Sequence, residues 1–347
     1  MTTKQNMSAS AMVQVRPKDT ITILKGAIQH RLPVMISGAP GVGKTALAEQ
    51  AAREAHCALL KIFPVICDPT DVKGLPIVVD GKAEFSAFGD LRQLIEAKNP
   101  LVCIIDDLGQ AAPVIQASLM QIVLAREIAG NKISDCVTFI ACTNRRQDRA
   151  AVSGILEPLK SRFATILELT PNYEDWVTWA NANNIDYRVV AFIRQHPDLL
   201  HDFHPTADMT NSPCPRTIEH VSQWMQLGYP YALLQKIIAG AAGDAFAIAF
   251  GAFLNVITEV PDLDAVIEDP NNAPVPKRPD SLYAVCGALS RRVTSKKIME
   301  KVMTYIERLA PEFQTIFIMD AKQLYPEVVL QSGRFIDWVE KNSDMII

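Results

Sequence analysis

The chain has 347 residues, 49% of them hydrophobic and 21% charged, which suffices for one large or two moderate cores and excludes a largely disordered polymer. A formal charge of -4 and a pI near 5.9 exclude a broad positive field for a phosphate backbone, so nucleic acid is an unlikely partner unless a local basic patch exists. The seven cysteines, an odd number with no C-x-x-C pair, read as buried thiols of a reducing cytoplasm.

Residues 1–15 are expected to be a flexible tail, because the first ten are polar and lack the charged-then-apolar order of a secretory signal. In residues 19–30, Ile21, Leu24 and Ile28 recur at helical spacing, and a short buried strand at 34–36 then runs into a glycine-rich loop. The alanine-rich stretch 45–56 reads as a helix with Glu49 and Arg53 four apart, and 58–63 as the next strand. Residues 101–105 form a five-residue apolar run without alternation, as expected of a central strand covered by helices on both faces. Pro113 opens a helix whose inner face is expected to carry Val114, Ile115, Leu119, Ile122 and Val123. Strands are predicted at 137–142 and 165–169. This alternation predicts an α/β fold, a P-loop parallel sheet flanked by helices, with its ligand at the carboxyl ends of the strands.

Beyond Pro171 helical patterns take over, at 173–183, 187–195, 216–226 and, as one long helix, 231–256. The apolar run 237–257 is long enough to cross a bilayer, which takes roughly 20 residues. Asp244 in its middle, the small residues Gly240, Ala241, Ala242 and Gly243, and the lack of a basic flank favour buried helix packing and no membrane. Residues 261–279 carry five prolines and read as an extended linker, followed by helices at 281–293, 295–309 and 335–341.

The chemistry concentrates in two places. Gly38-Ala39-Pro40-Gly41-Val42-Gly43-Lys44-Thr45, followed by Ala46, is a G-x-x-x-x-G-K-T loop between a buried strand and a helix, the context a P-loop requires. Its backbone N–H groups and the helix N-terminus surround phosphates, Lys44 neutralises the outer ones, and Thr45 ligates Mg²⁺. The second place is the strand that ends in Asp106 and Asp107. Asp106 is expected to hold the metal's water shell and Asp107 to orient or deprotonate the attacking water; the plainer alternative is a pair of acids capping the next helix. Arg162 and Arg216, taken as residues alone, are surface arginines.

From residue 20 to about 225, the order of motifs resembles the MoxR and dynein-related branch of AAA+ ATPases. The carriers are the P-loop and the Walker B strand, then Asp68-Pro69-Thr70-Asp71-Val72-Lys73-Gly74, an insertion hairpin expected at 78–88, and the helix from Ala111 to Gln121. The resemblance implies that Asn144, in Thr143-Asn144, is a sensor 1 amide that reaches the γ-phosphate and its water. In the same way Arg162, in Leu159-Lys160-Ser161-Arg162-Phe163, becomes a finger projecting into a neighbouring subunit's nucleotide, and Arg216, in Ser212-Pro213-Cys214-Pro215-Arg216, a sensor 2 on a lid helix. The domain plan that follows is a tail at 1–15, an ATPase core at 16–170, a helical lid at 171–258, and a linker with a further helical portion at 259–347.

The same resemblance implies ATP and Mg²⁺ as cofactors, a homo-oligomeric ring of six, and a protein partner to be remodelled, often one with a von Willebrand A domain. One departure stands out: most members of the branch it resembles carry Glu where this chain has Asp107, one methylene shorter, which leaves slow turnover open. Three functional readings therefore compete: a ring-forming ATP-dependent remodeller, a DNA-directed clamp-loader or helicase-loader component, and a nucleotide-gated scaffold. Two weaker constellations remain. His196, His201 and His204 with Asp198 and Asp202 have a spacing a metal could use, but they flank prolines in a polar loop. Arg145, Arg146 and Arg149 form a basic cluster suited to a subunit interface, to nucleic acid, or to a solvated ion-paired loop.

Overall fold

Strands and helices alternate into one six-stranded parallel sheet in the computed structural model, which describes residues 13–148, 154–206 and 208–342. The elements in chain order are β1 (Val13–Val15), α1 (Pro17–His30), β2 (Val34–Gly38), α2 (Lys44–Glu54), β3 (Ala58–Ile62) and α3 (Pro69–Lys73). Next come β4 (Leu75–Val79), β5 (Lys82–Ser86), α4 (Gly89–Glu96), β6 (Leu101–Ile105), α5 (Pro113–Met120) and the short pair β7 (Glu127–Ile128) and β8 (Asn131–Lys132). β9 (Val137–Asn144), α6 (Glu157–Lys160) and β10 (Thr165–Leu169) complete the first of two units, Met1–Pro171. The sheet order is β1-β10-β2-β9-β6-β3, with every neighbouring pair parallel.

The unalternating run on β6 has a simple cause. Val102 and Ile104 pack with Leu24, Ala27, Ile28, Ala48 and Ala51 of α1 and α2. Leu101, Cys103 and Ile105 point the other way, to Leu91 and Leu94 of α4 and Ile115 and Leu119 of α5. Both faces of the strand are covered, so every position is apolar.

Three expectations change here. Val13–Val15 lies within the stretch expected to be a flexible tail, yet it pairs with β10 as an edge of the sheet; residues 1–12 are outside the described ones. Val114 is exposed rather than inward, because Ile115, Leu119 and Ile122 at i, i+4 and i+7 set the buried stripe and Val114 sits a quarter-turn off it. The insertion hairpin spans β4 and β5, starting at Leu75 rather than 78, around the Asp80-Gly81 turn that two-residue hairpins favour. The Asp68…Asp71 element is local architecture, since the Asp68 N–H donates to Asp71 Oδ2 at 2.8 Å as α3 begins.

The second unit, Asn172–Ile347, is helical. It contains α7 (Tyr173–Ala182), α8 (Tyr187–Gln195), α9 (Pro215–Gln226), α10 (Tyr231–Ala242), α11 (Asp244–Val256) and α12 (Leu263–Glu268). Then follow α13 (Pro279–Ser290), α14 (Lys296–Ile306), α15 (Pro311–Leu324), α16 (Pro326–Leu330) and α17 (Gly333–Lys341). The stretch 261–279 is not an extended linker: Val266 of α12 and Ala273 are buried in one core with Met299, Val302 and Phe317. Residues on both sides of the boundary expected at 258–259 belong to this one unit.

The long helix expected over 231–256 is two helices broken at Gly243. Gly243 has φ 92°, and a Cβ there would come within 2.8 Å of the Asn211 carbonyl oxygen. In a continuous helix Gly243→Ala would stabilise by about 0.5–1 kcal/mol. At this break it should instead cost about 1–3 kcal/mol and lower the calorimetric Tm by several degrees; an equal or higher Tm would restore the single helix. Among the described residues no helix is long and apolar enough to cross a membrane.

Candidate nucleotide site

β2 delivers the chain to the glycine-rich loop, and Gly43, at φ 98°, supplies the left-handed turn that lets α2 start at Lys44. Lys44 is buried, and its Nζ donates to the carbonyl oxygens of Gly38 at 3.1 Å and Ala39 at 2.9 Å, and to Asn144 Oδ1 at 2.7 Å. The register explains the last contact, because Gly38 on β2 pairs directly with Asn144 on β9. Asn144 then turns its amide to the other side, where Nδ2 donates to Asp107 Oδ1 at 3.1 Å. Lys44, Asn144 and Asp107 thus form one hydrogen-bonded chain.

The strand ending in the two carboxylates is not adjacent to the P-loop strand: β9 lies between β2 and β6. That interposition is why Asn144 can touch both sides. The Asp106 N–H donates to Ile62 O at 2.9 Å, which anchors the end of β6 to β3. Thr45 Oγ1 donates to Asp106, 3.0 Å from each carboxylate oxygen. A hydroxyl and a carboxylate at the N-terminus of a helix are the hard oxygen donors that Mg²⁺ takes alongside phosphate, so these residues fit the ion. Asp107 stands at φ 53° and its side chain makes no capping hydrogen bond to the short 3₁₀ turn that follows, Leu108–Gln110. Beneath the site, burial pushes the Cys142 thiol up to about 12, with the Asp106 carboxylate adding to it, so this cysteine stays protonated and inert at working pH.

Of the other expected residues, Arg162 belongs to the same unit as this cluster and Arg216 to the second unit. Arg162 follows α6, its Nη1 donating to Ser161 Oγ at 3.1 Å while its Nε is buried without a hydrogen-bond partner. Arg216 stands exposed on the first turn of α9, in the second unit. The basic cluster is not one patch: Arg145 turns inward onto Asp148 and Glu168, Arg146 is exposed, and Arg149 lies outside the described residues. In the histidine-rich stretch His204 Nε2 pairs with Asp202 at 2.8 Å, and among the described residues no three His, Cys, Asp or Glu side chains cluster as a metal cage.

Sequence reading missed Gln116. This buried side chain donates to Ala111 O at 3.1 Å and Gly154 O at 2.9 Å, and its Oε1 accepts from the Leu156 N–H at 3.0 Å. It thereby ties α5 to the segment that leads into Arg162. A glutamine at an inward position of an apolar helix was the available signal, since such a group must find partners when buried.

The model of one family, "ATPase family associated with various cellular activities (AAA)", matches residues 34–171. Those residues are an AAA ATPase domain. It runs from the first residue of β2 past the end of β10, and holds the P-loop, Asp106, Asp107, Asn144 and Arg162, while Arg216 falls outside it. The protein is accordingly an ATPase. A comparison with curated proteins found no match. Among solved structures, the RuvB Holliday junction branch migration motor of Thermotoga maritima is 17% identical, covering 79% of this chain and 80% of that one at a TM-score of 0.40. A point mutant of the same RuvB is 18% identical over 78% and 81% of the two chains, with a TM-score of 0.42. Likeness at this level carries no argument about what the present chain acts on.

Proposed function

We propose that this chain hydrolyses ATP at the cluster of Lys44, Thr45, Asp106, Asp107 and Asn144, as one protomer of a homo-oligomeric, six-membered ring that remodels a protein partner. The observation that carries the hydrolytic part is the continuous contact Lys44–Asn144–Asp107 beside Thr45–Asp106. It puts a cation for the outer phosphates, an amide donor and a carboxylate acceptor within reach of one another. Bound Mg²⁺ would offset phosphate charge, held through Thr45 Oγ1 and the Asp106 carboxylate. Arrival of a γ-phosphate gives Lys44 a stronger acceptor than the Asn144 carbonyl, and frees that amide to turn toward the phosphate. Asp107 then accepts a proton from water as its oxygen bonds to the γ-phosphorus and the bond to ADP breaks.

The ring and the partner, including a von Willebrand A domain as its kind, rest on the resemblance to MoxR-type sequences. The acidic balance, -4 with a pI near 5.9, supports a protein rather than a DNA partner. Turnover per protomer should rise with protein concentration and be indifferent to added DNA. Salt-sensitive stimulation by DNA would replace the remodelling reading with the DNA-directed one.

Arg162 provides the sharper test of assembly. Arg162→Ala should leave ATP affinity intact and lower turnover by about 10²-fold, the scale of losing one charge-stabilising donor. Mixing it with Lys44→Ala protein should recover activity, because some interfaces then combine an intact P-loop with an intact arginine. Absence of recovery at every mixing ratio would mean that Arg162 does not act across an interface.

A further inference from the structure

The turn that follows Asn144 is fixed from inside the sheet. Arg145 donates Nε and Nη2 to the two oxygens of Asp148 at 2.9 and 2.8 Å, and Nη1 to Glu168 Oε1 at 3.0 Å. Asp148 and Glu168 are 5% and 2% exposed, whereas the intervening Arg146 and Gln147 face solvent. Glu168 on β10 pairs with Ser37 on β2, one residue before Gly38, and Gly38 pairs with Asn144. The guanidinium of Arg145 therefore reaches from the end of β9 past the P-loop strand to β10. Buried carboxylates are costly unless a cation and hydrogen bonds satisfy them. A planar fork that engages both at once fixes directions as well as charge, which a lysine cannot do. Its hydrogen bonds to Asp148 and then Glu168 hold the Arg145 guanidinium above its ordinary value, so the arginine stays charged at any working pH.

We propose that Arg145 is a positioning residue: by bridging Asp148 and Glu168 across the P-loop strand, it sets where the end of β9 places Asn144 between Lys44 and Asp107. The inference rests on the reading of Asn144 as the group that orients phosphate and water. An arginine serving only stability would lower Tm without touching the bound geometry. A positioning arginine lowers the chemical step, because displacement of a reacting or orienting group by about 1 Å can cost on the order of 10²-fold.

The test uses the full chain as Arg145→Lys, Asn144→Ala and the double variant, with turnover, affinity for a fluorescent ATP analogue, and Tm measured for each. Arg145→Lys keeps a cation between the carboxylates; should it melt below the assay temperature, Arg145→Gln with Glu168→Gln removes the cation and one buried charge together. Expected is a fall in kcat of roughly 10- to 100-fold, the range for groups that orient a functional side chain, with nucleotide affinity unchanged. In the Asn144→Ala background the same substitution should cost nothing further, because the group it positions is gone. A normal kcat for Arg145→Lys beside a slow Asn144→Ala, or full additivity in the double variant, overturns the positioning role alone. A normal kcat for Asn144→Ala overturns the sensor reading beneath it, and the two failures are thus distinguishable.

Discussion

Lys44→Ala should lose tight ATP binding while the protein stays folded. The Lys44 ammonium is buried among the Gly38 and Ala39 carbonyls and the Asn144 amide oxygen, so it is a preformed charge waiting for a stronger acceptor, the outer phosphates. Removing one partner of such a buried, hydrogen-bonded charge interaction costs about 2–5 kcal/mol, roughly 30-fold to several thousand-fold in affinity. The helix N-terminus and loop N–H groups remain, so weak binding of the phosphates persists. The fold is expected to survive because α2 is held by Ala48, Ala51 and Ala52 on its buried face rather than by the lysine. Calorimetric titration with ATP, paired with a melting curve, reads both halves. A folded variant that bound ATP with unchanged affinity would remove the P-loop assignment and every role built on it.

How much of this was legible beforehand follows from what each residue's neighbours are. The strands of the sheet were readable because β2, β6 and β9 are apolar on both faces, and the P-loop because its glycines, lysine and threonine are adjacent in sequence. The Lys44–Asn144–Asp107 chain was not readable, since it depends on strand order: β9 lies between β2 and β6, a fact no local pattern encodes. Arg145 was hidden for a similar reason, its partners Asp148 and Glu168 lying on the next turn and on another strand. In the second unit α15 escaped notice because its buried face includes Asp320, which Arg194 and Asn181 satisfy. A charge on the inner face breaks the apolar period that identifies a helix. The break at Gly243 was missed because apolar periodicity continues through it, and only the approach of the Asn211 carbonyl excludes a side chain there.

Asp107→Asn should bind ATP and Mg²⁺ normally and lose about 10²- to 10⁴-fold in turnover, the usual contribution of a general base. The substitution is unusually clean at this position. Asp107 sits in the left-handed region at φ 53°, where Asn and Asp are the non-glycine residues best tolerated, so the exchange leaves the backbone where it is. The same backbone gives a physical reason for an aspartate here: its short polar side chain suits that conformation better than a longer acid would. Asn144 Nδ2 still finds an oxygen on Asn at 107, in place of its 3.1 Å contact with Asp107 Oδ1, so the orienting amide is also kept. What disappears is the ability to take a proton from water. Asp106→Asn serves as the contrast, because Asp106 is the carboxylate that receives the Thr45 hydroxyl. Its loss should appear as a raised requirement for Mg²⁺ rather than as a slow step at saturating metal. Single-turnover hydrolysis in the assembled state, measured across a Mg²⁺ titration, separates the two carboxylates. If Asp107→Asn hydrolysed ATP at the wild-type rate, the proton would have to go elsewhere, and Asp107 would be reduced to a hydrogen-bond partner of Asn144.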